Sequence, residues 1–350
     1  MKNVVYVSGY TNDKGRGIYK YEFNDEDGQL YGGKLVLECA SPSWLAKAPG
    51  SQYIYALNEV PEGTVTAIKI EDDDNGLSIV NQCSSGGAHP CHALLIVEQQ
   101  QDNCRLLVAN YSNGAVAALN IDPKSGAVSE GQVFINPSAA TLGVPHRQQM
   151  PHAHSIDKVQ GWAYSMDLGT DEARVFDLRV PDLQPSKVAF KFPVGTGPRH
   201  LATSSKGDKV YVLGELSNTI HVLSVNKETG ELAEIQQIRA LPDDFTGDNL
   251  GSEIALSLDG KFLYAAMRGH NSIAIFRVLD DDGRLELIGH ESTQGDHPRH
   301  FTFDPSGQYL LVGNQNTNTI VVFKVDANTG LLNAVQTVEH PEPACVLFAQ

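Results

Sequence analysis

The chain has 350 residues and a formal net charge of −16, with 42 Asp and Glu against 26 Lys and Arg. A surface that acidic repels nucleic acid and anionic membrane faces, so neither is expected as a partner. Charged residues make up 19% of the chain and 32 residues are Gly, a balance that suits short strands and tight turns better than long charged helices.

From the N-terminus, Met1 to Tyr10 carries one Lys and a four-residue apolar run, too short for a secretory leader. No run approaches the length that spans a bilayer, so a cytoplasmic protein is expected. Val4 to Leu30 reads as the second and third strands of a unit whose first strand is missing. Copies of a fuller unit start at Pro42, at Pro90 and at Pro151, the acidic run Glu71 to Asp74 forming a solvated turn and Asn136 to Met150 the largest insertion. The unit is clearer at Pro198, at Gly251 and at Pro298. There Pro298-Arg299-His300 opens a short strand, Asp304-Pro305-Ser306-Gly307 turns, and Gln308 to Asn314 returns. A third strand over Asn318 to Val325, a Gly330-Leu331 turn and a fourth strand near Asn333 to Val338 complete it. Gly, Asp and Asn supply the positive-φ turn positions. Pro343 to Phe348 is an orphan first strand that fits the gap in the N-terminal unit. Starts about 45 to 60 residues apart match the blade period of a propeller. The pattern predicts one all-β domain over 1–350, a seven-bladed β-propeller of four-stranded antiparallel blades, closed by the C-terminal strand. The five cysteines show no CxxC pair and read as reduced, mostly buried small hydrophobes; no metal and no cofactor are expected.

This strand order places the start of each first strand and the end of each second strand on one face. Pro90-Cys91-His92, Pro151-His152-Ala153-His154, Pro198-Arg199-His200 and Pro298-Arg299-His300 meet there. So do Leu57-Asn58-Glu59, Ala109-Asn110-Tyr111, Gly214-Glu215, Arg268-Gly269-His270 and Asn314-Gln315. Polar groups from several blades converging on one mouth make a binding site.

Arg147-Gln148, then Pro151-His152-Ala153-His154-Ser155, Gly197-Pro198-Arg199-His200, Gly214-Glu215-Leu216 with Asn218, Tyr264 to Arg268 and Pro298-Arg299 follow one another in an order that resembles the lactonase family of seven-bladed propellers. That family includes propeller-type 6-phosphogluconolactonases and carboxy-cis,cis-muconate cyclases. The resemblance implies a lactone-handling mouth with His154, Arg199, Glu215 and Arg268 as the active set. Around it, His152, Arg147, His200, Asn110, Arg299 and Asn314 are the candidate substrate contacts.

Lactone hydrolysis needs an activated water, a stabilised oxyanion and a proton for the leaving alkoxide. Glu215 or His154 could be the general base, and Arg199 and Arg268 could hold the oxyanion or a substrate phosphate or carboxylate. A carboxylate beside two arginines keeps a low pKa, so Glu215 could instead orient them. His152 and His154, two apart on a strand, would share a side, which suits a metal; strand-end histidines bonding substrate or backbone are the simpler reading. No Gly-x-Ser-x-Gly elbow is present, which disfavours an acyl-enzyme. The expected partner is a small anionic sugar lactone or carboxylate, bound by a monomer or weak homodimer. A cycloisomerase and a non-catalytic interaction platform are the alternatives.

Overall fold

The computed structural model describes residues 2–71, 76–97, 104–180, 183–279 and 282–349. The acidic run predicted over 71–74 lies, beyond Glu71, outside the described residues. Seven four-stranded antiparallel sheets form a closed ring. Blade 1 combines Pro343–Phe348 with Lys2–Gly9, Gly17–Asn24 and Gln29–Glu38, so the terminal strand closes the ring as the sequence predicts. Blades 2 to 7 then follow in chain order, with innermost strands Pro42–Ala46, Pro90–Val97, Ala153–Val159, Pro198–Thr203, Leu250–Leu256 and Pro298–Phe303. Among the described residues there is no α-helix, only a 3-10 turn at Tyr111–Asn113. No helix is therefore long and apolar enough to cross a membrane.

The apolar side chains do not fill one central core. They form a cluster at each of the seven blade-to-blade contacts, for example Val159, Trp162, Tyr164, Val210 and Val212 between blades 4 and 5. Strand alternation sends one face of each sheet to each neighbour. Three second-strand tyrosines lock successive blades: the hydroxyls of Tyr55, Tyr164 and Tyr264 donate to the carbonyls of Gly126, Gly230 and Gly330. Those glycines hold φ of 70°, 72° and 75° in the outer turns, a conformation that glycine reaches without a Cβ penalty. All five cysteines are free, but only Cys91 and Cys345 are buried; Cys39, Cys83 and Cys104 lie on outer strands or strand ends and are partly exposed, so the expectation of mostly buried thiols fails.

The central channel is thus left to the innermost strands, and these share an irregularity. In every blade the innermost pair gains one residue near its start, as between Pro90 and His92, between Pro198 and His200 or between Pro298 and His300. A β-bulge of this kind lets two successive residues face the same side. Each strand can therefore deliver one side chain to the upper rim and the next to a layer beneath. At the lower end the channel opens into a cavity of about 620 Å³ lined by Trp44, Lys47, Leu94, Lys158 and Leu347.

Candidate active site

Glu215 is the hub of the upper rim and is 1% exposed. It immediately follows the second strand of blade 5, Lys209–Gly214. Its Oε2 lies 2.9 Å from Arg199 Nε, 3.0 Å from Arg268 Nη2 and 3.6 Å from His154 Nε2. Its Oε1 accepts from Arg147 Nη2. The four partners come from the bulge of blade 5, the second strand of blade 6, the bulge of blade 4 and the 136–150 insertion. The structure thus unites His154, Arg199, Glu215, Arg268 and Arg147 around one carboxylate.

Each guanidinium is further anchored. Arg199 Nη1 donates to Ser252 O at 2.5 Å, and Arg268 Nη2 to Gly251 O at 2.7 Å. Arg147 Nη2 also reaches the Tyr111 hydroxyl at 3.3 Å. The insertion that carries Arg147 is fixed by Gln148, whose Nε2 donates to Leu168 O, and by Thr141, whose hydroxyl donates to Asp171 Oδ2. Burial alone would raise the pKa of Glu215, but Arg268, Arg199 and Arg147 together outweigh it and hold the carboxyl at about 2. His154 is held well below its ordinary value, chiefly by burial and then by Arg199. It is therefore neutral at pH 7 and carries a lone pair. Burial, partly offset by Glu215, brings Arg268 down to about 9.

A second group faces this hub. Arg299 donates to the Tyr10 hydroxyl, stacks its guanidinium 4.8 Å from the Tyr10 ring centroid and lies 3.8 Å from Glu59 Oε2. Tyr10 in turn donates to Glu59 at 2.7 Å. His297, which precedes the first strand of blade 7, is lowered to about 4 by burial and by Arg268 and Arg299.

The other predicted contacts sit elsewhere in the wall. His152 stacks on Tyr111 at 4.4 Å, and its Nδ1 lies 2.8 Å from Tyr111 O. The blade 4 strand begins only at Ala153 and bulges at His154, so the two histidines do not alternate as a regular strand would have them. Among the described residues no three His, Cys, Asp or Glu side chains are grouped to hold a metal. Asn110 is fully buried, its Nδ2 donating to Ser85 O and its Oδ1 accepting from the Ser85 hydroxyl. Asn314 Nδ2 donates to Thr293 O in the equivalent place of blade 7. Both side chains tie down the linker that enters their blade. His200 faces the layer below, with Nδ1 against Glu253.

Tyr10, Glu59, Tyr111 and His297 are site residues that the active set did not include. Tyr10, Glu59, Tyr111 and Glu215 all occupy one slot, the position after a second strand, so the repeat held the signal for the first three.

A family model described as a lactonase, 7-bladed beta-propeller, matches residues 4–348. The chain belongs to this family. It is 34% identical to a protein of Bacillus subtilis named 6-phosphogluconolactonase, over 99% of this chain and 98% of that one. A Formosa agariphila protein of the same name is 32% identical over 94% of each chain. Among solved structures, the periplasmic gluconolactonase PpgL of Pseudomonas aeruginosa superimposes with a TM-score of 0.90 at 29% identity, covering 99% of both chains. In this member of the family, His154, Arg199, Arg268 and Arg147 meet around Glu215.

Proposed function

We propose that the chain hydrolyses the lactone ring of a phosphorylated sugar acid, 6-phosphogluconolactone, at the Glu215 centre. One observation carries the reading. At the mouth of a protein with net charge −16, the ion pairs of Arg147, Arg199, Arg268 and Arg299 among the described residues are with two carboxylates, Glu59 and Glu215, so that four guanidiniums share two counter-charges. A phosphate monoester supplies the matching dianion. Arg147 and Arg299 are the more accessible guanidiniums, with side chains 31% and 17% exposed, and they take the phosphate. Buried Arg199 and Arg268 flank the carbonyl.

His154 is the base in this scheme, because Glu215 is held near 2 and both its oxygens are engaged by cations. Water attacks the carbonyl carbon and passes one proton to His154, while the carbonyl π electrons move to an oxygen held by the arginines. Glu215, 3.6 Å away, stabilises the imidazolium. Collapse breaks the ring C–O bond, and the leaving alkoxide takes the proton back. The new carboxylic acid then ionises, so each turnover releases one proton.

A pH-indicator assay of purified protein with 6-phosphogluconolactone tests this. His154→Ala and Arg199→Ala are expected to lower kcat/KM by about 100-fold or more, the range for losing a base or an oxyanion donor. Wild-type protein that leaves the spontaneous ring-opening rate unchanged overturns the reading, and conversion of carboxymuconate instead would select the cyclase chemistry.

A further inference from the structure

Directly beneath His154 lies a layer of ionisable groups that the hydrolytic scheme leaves unused. His92, His200, Glu253 and His300 come from blades 3, 5, 6 and 7, and each is under 9% exposed. Trp44 packs among them, 4.1 Å from His92 and 5.3 Å from His300 between ring centroids. His200 meets His92 at 5.1 Å and His154, in the layer above, at 5.3 Å.

The positions of the ring hydrogens follow from the partners. The amide of Val346 donates to His300 Nδ1 at 3.3 Å, and the amide of Ile156 to His92 Nδ1 at 3.2 Å. Those nitrogens are acceptors, so the neutral rings carry their hydrogen on Nε2. His200 is set differently. Its Nδ1 faces both oxygens of Glu253, at 3.1 and 3.2 Å, and therefore holds the hydrogen. His200 Nε2 is left as a lone pair, buried and without a partner among the described residues. Glu253 is seated by the Ile254 amide at 3.0 Å and faces His300 Nε2 at 3.6 Å. Asp157, Arg199, His92 and Cys345 are the other titratable or charged groups within its field.

The site above is rich in donors. Arg147, Arg199 and Arg268 only donate, and both oxygens of Glu215 already lie within ion-pair distance of them. An attacking water needs both its hydrogens accepted so that a lone pair faces the carbonyl. His154 accepts one. We propose that Glu253 is a positioning residue for the hydrolysis: it holds His200 with Nδ1 protonated, so that the Nε2 lone pair accepts the water's second hydrogen. With the opposite tautomer, His200 would add one more donor to a donor-rich site. The proposal rests on the lactonase reading above.

Two substitutions separate the acceptor from the charge. Glu253→Leu removes the acceptor at similar volume, and Glu253→Gln keeps an amide oxygen for His200. Nitrogen-15 NMR of the imidazoles is expected to show His200 protonated at Nδ1 in wild type and in Glu253→Gln, but not in Glu253→Leu. With 6-phosphogluconolactone, Glu253→Leu is expected to lower kcat by about tenfold to a hundredfold with KM within about twofold, and Glu253→Gln to recover most of the loss. His200 protonated at Nε2 in wild type, or wild-type kcat in folded Glu253→Leu, overturns the proposal. If Glu253→Leu does not fold, the wild-type tautomer alone decides. If wild-type protein opens no lactone, the functional reading falls, while the tautomer comparison, which needs no substrate, still decides whether Glu253 sets His200.

Discussion

Glu215 and Asp157 are two acids in one channel, and their environments drive them in opposite directions. At Glu215 burial would raise the pKa, but three arginines override it and hold the group at about 2. At Asp157, lower in the channel, burial together with the charge of Glu253 pushes the acid up to about 8, opposed by the nearby Ser155 hydroxyl. Depth in the channel does not set charge; the supply of guanidinium does. Blade 5, blade 6 and the 136–150 insertion each send an arginine to the rim, and the cation contacts of Glu215 all come from there. The upper end is built to hold anions, whereas among the described residues the ion-pair partner of Asp157 is a histidine, His92, at 3.9 Å.

The most severe way to break this contrast is Glu215→Gln. It leaves buried Arg199 and Arg268 without a counter-charge, which is expected to cost about 3 kcal/mol of stability and to lower kcat by about 100-fold or more. Urea unfolding and the lactone assay measure the two effects. The pH dependence gives a second handle. The folded pKa of Glu215 lies below its ordinary 4.5, so its contribution is complete above pH 4.5 and is lost as pH falls toward about 2. Glu215→Gln should therefore show a shallower loss of stability than wild type across that window. An equal slope would mean that the arginines do not hold the carboxyl down.

Arg147 sharpens the comparison at smaller cost, because its side chain is 31% exposed and stands on the insertion rather than on a blade. Arg147→Ala is expected to raise KM for 6-phosphogluconolactone about tenfold, equivalent to ~1.4 kcal/mol, with kcat changed by only a few-fold. The same variant acting on the unphosphorylated lactone should show no rise in KM. A rise on both substrates would place Arg147 on the ring rather than on the phosphate.

The ring was legible in the sequence because its punctuation is chemical: Pro opens most innermost strands, and Asn and Gly hold the tight turns. Asn218, Asn271 and Asn318 adopt φ of 57°, 54° and 58°, which is why the Asn recurs at that point of the unit. The closing strand was legible because two incomplete units were complementary. The bulges were not. Alternation put His152 and His154 on one side, whereas an inserted residue redirects His154 to Glu215 and lets Arg199 and His200 serve different layers. Asn110 and Asn314 share the mouth's slots, but their bonds to Ser85 and Thr293 turn them toward the linkers, a distinction that residue type does not carry. Tyr10 lay in a loop with no motif, visible only by equivalence with Glu59, Tyr111 and Glu215.

Asp157→Asn probes the other acid and should have the opposite sign. Its folded pKa lies above the ordinary 3.8, so the folded state retains a proton that the unfolded chain gives up as pH rises from 3.8 to about 8. Wild-type stability is therefore diminished by this group across that window, and most at its upper end. At about 1.36 kcal/mol per pH unit the upper bound is ~6 kcal/mol, and screening of the partly exposed side chain reduces the expected effect to ~2 kcal/mol. An amide does not ionise, so Asp157→Asn should be more stable than wild type at pH 8 and show little difference at pH 4. Asp157 makes no contact with the Glu215 cluster, so lactone opening should be unchanged. Thermal unfolding at the two pH values decides the matter: a variant less stable at pH 8 would mean that Asp157 is ionised and paired, and the channel would then carry charge at both ends.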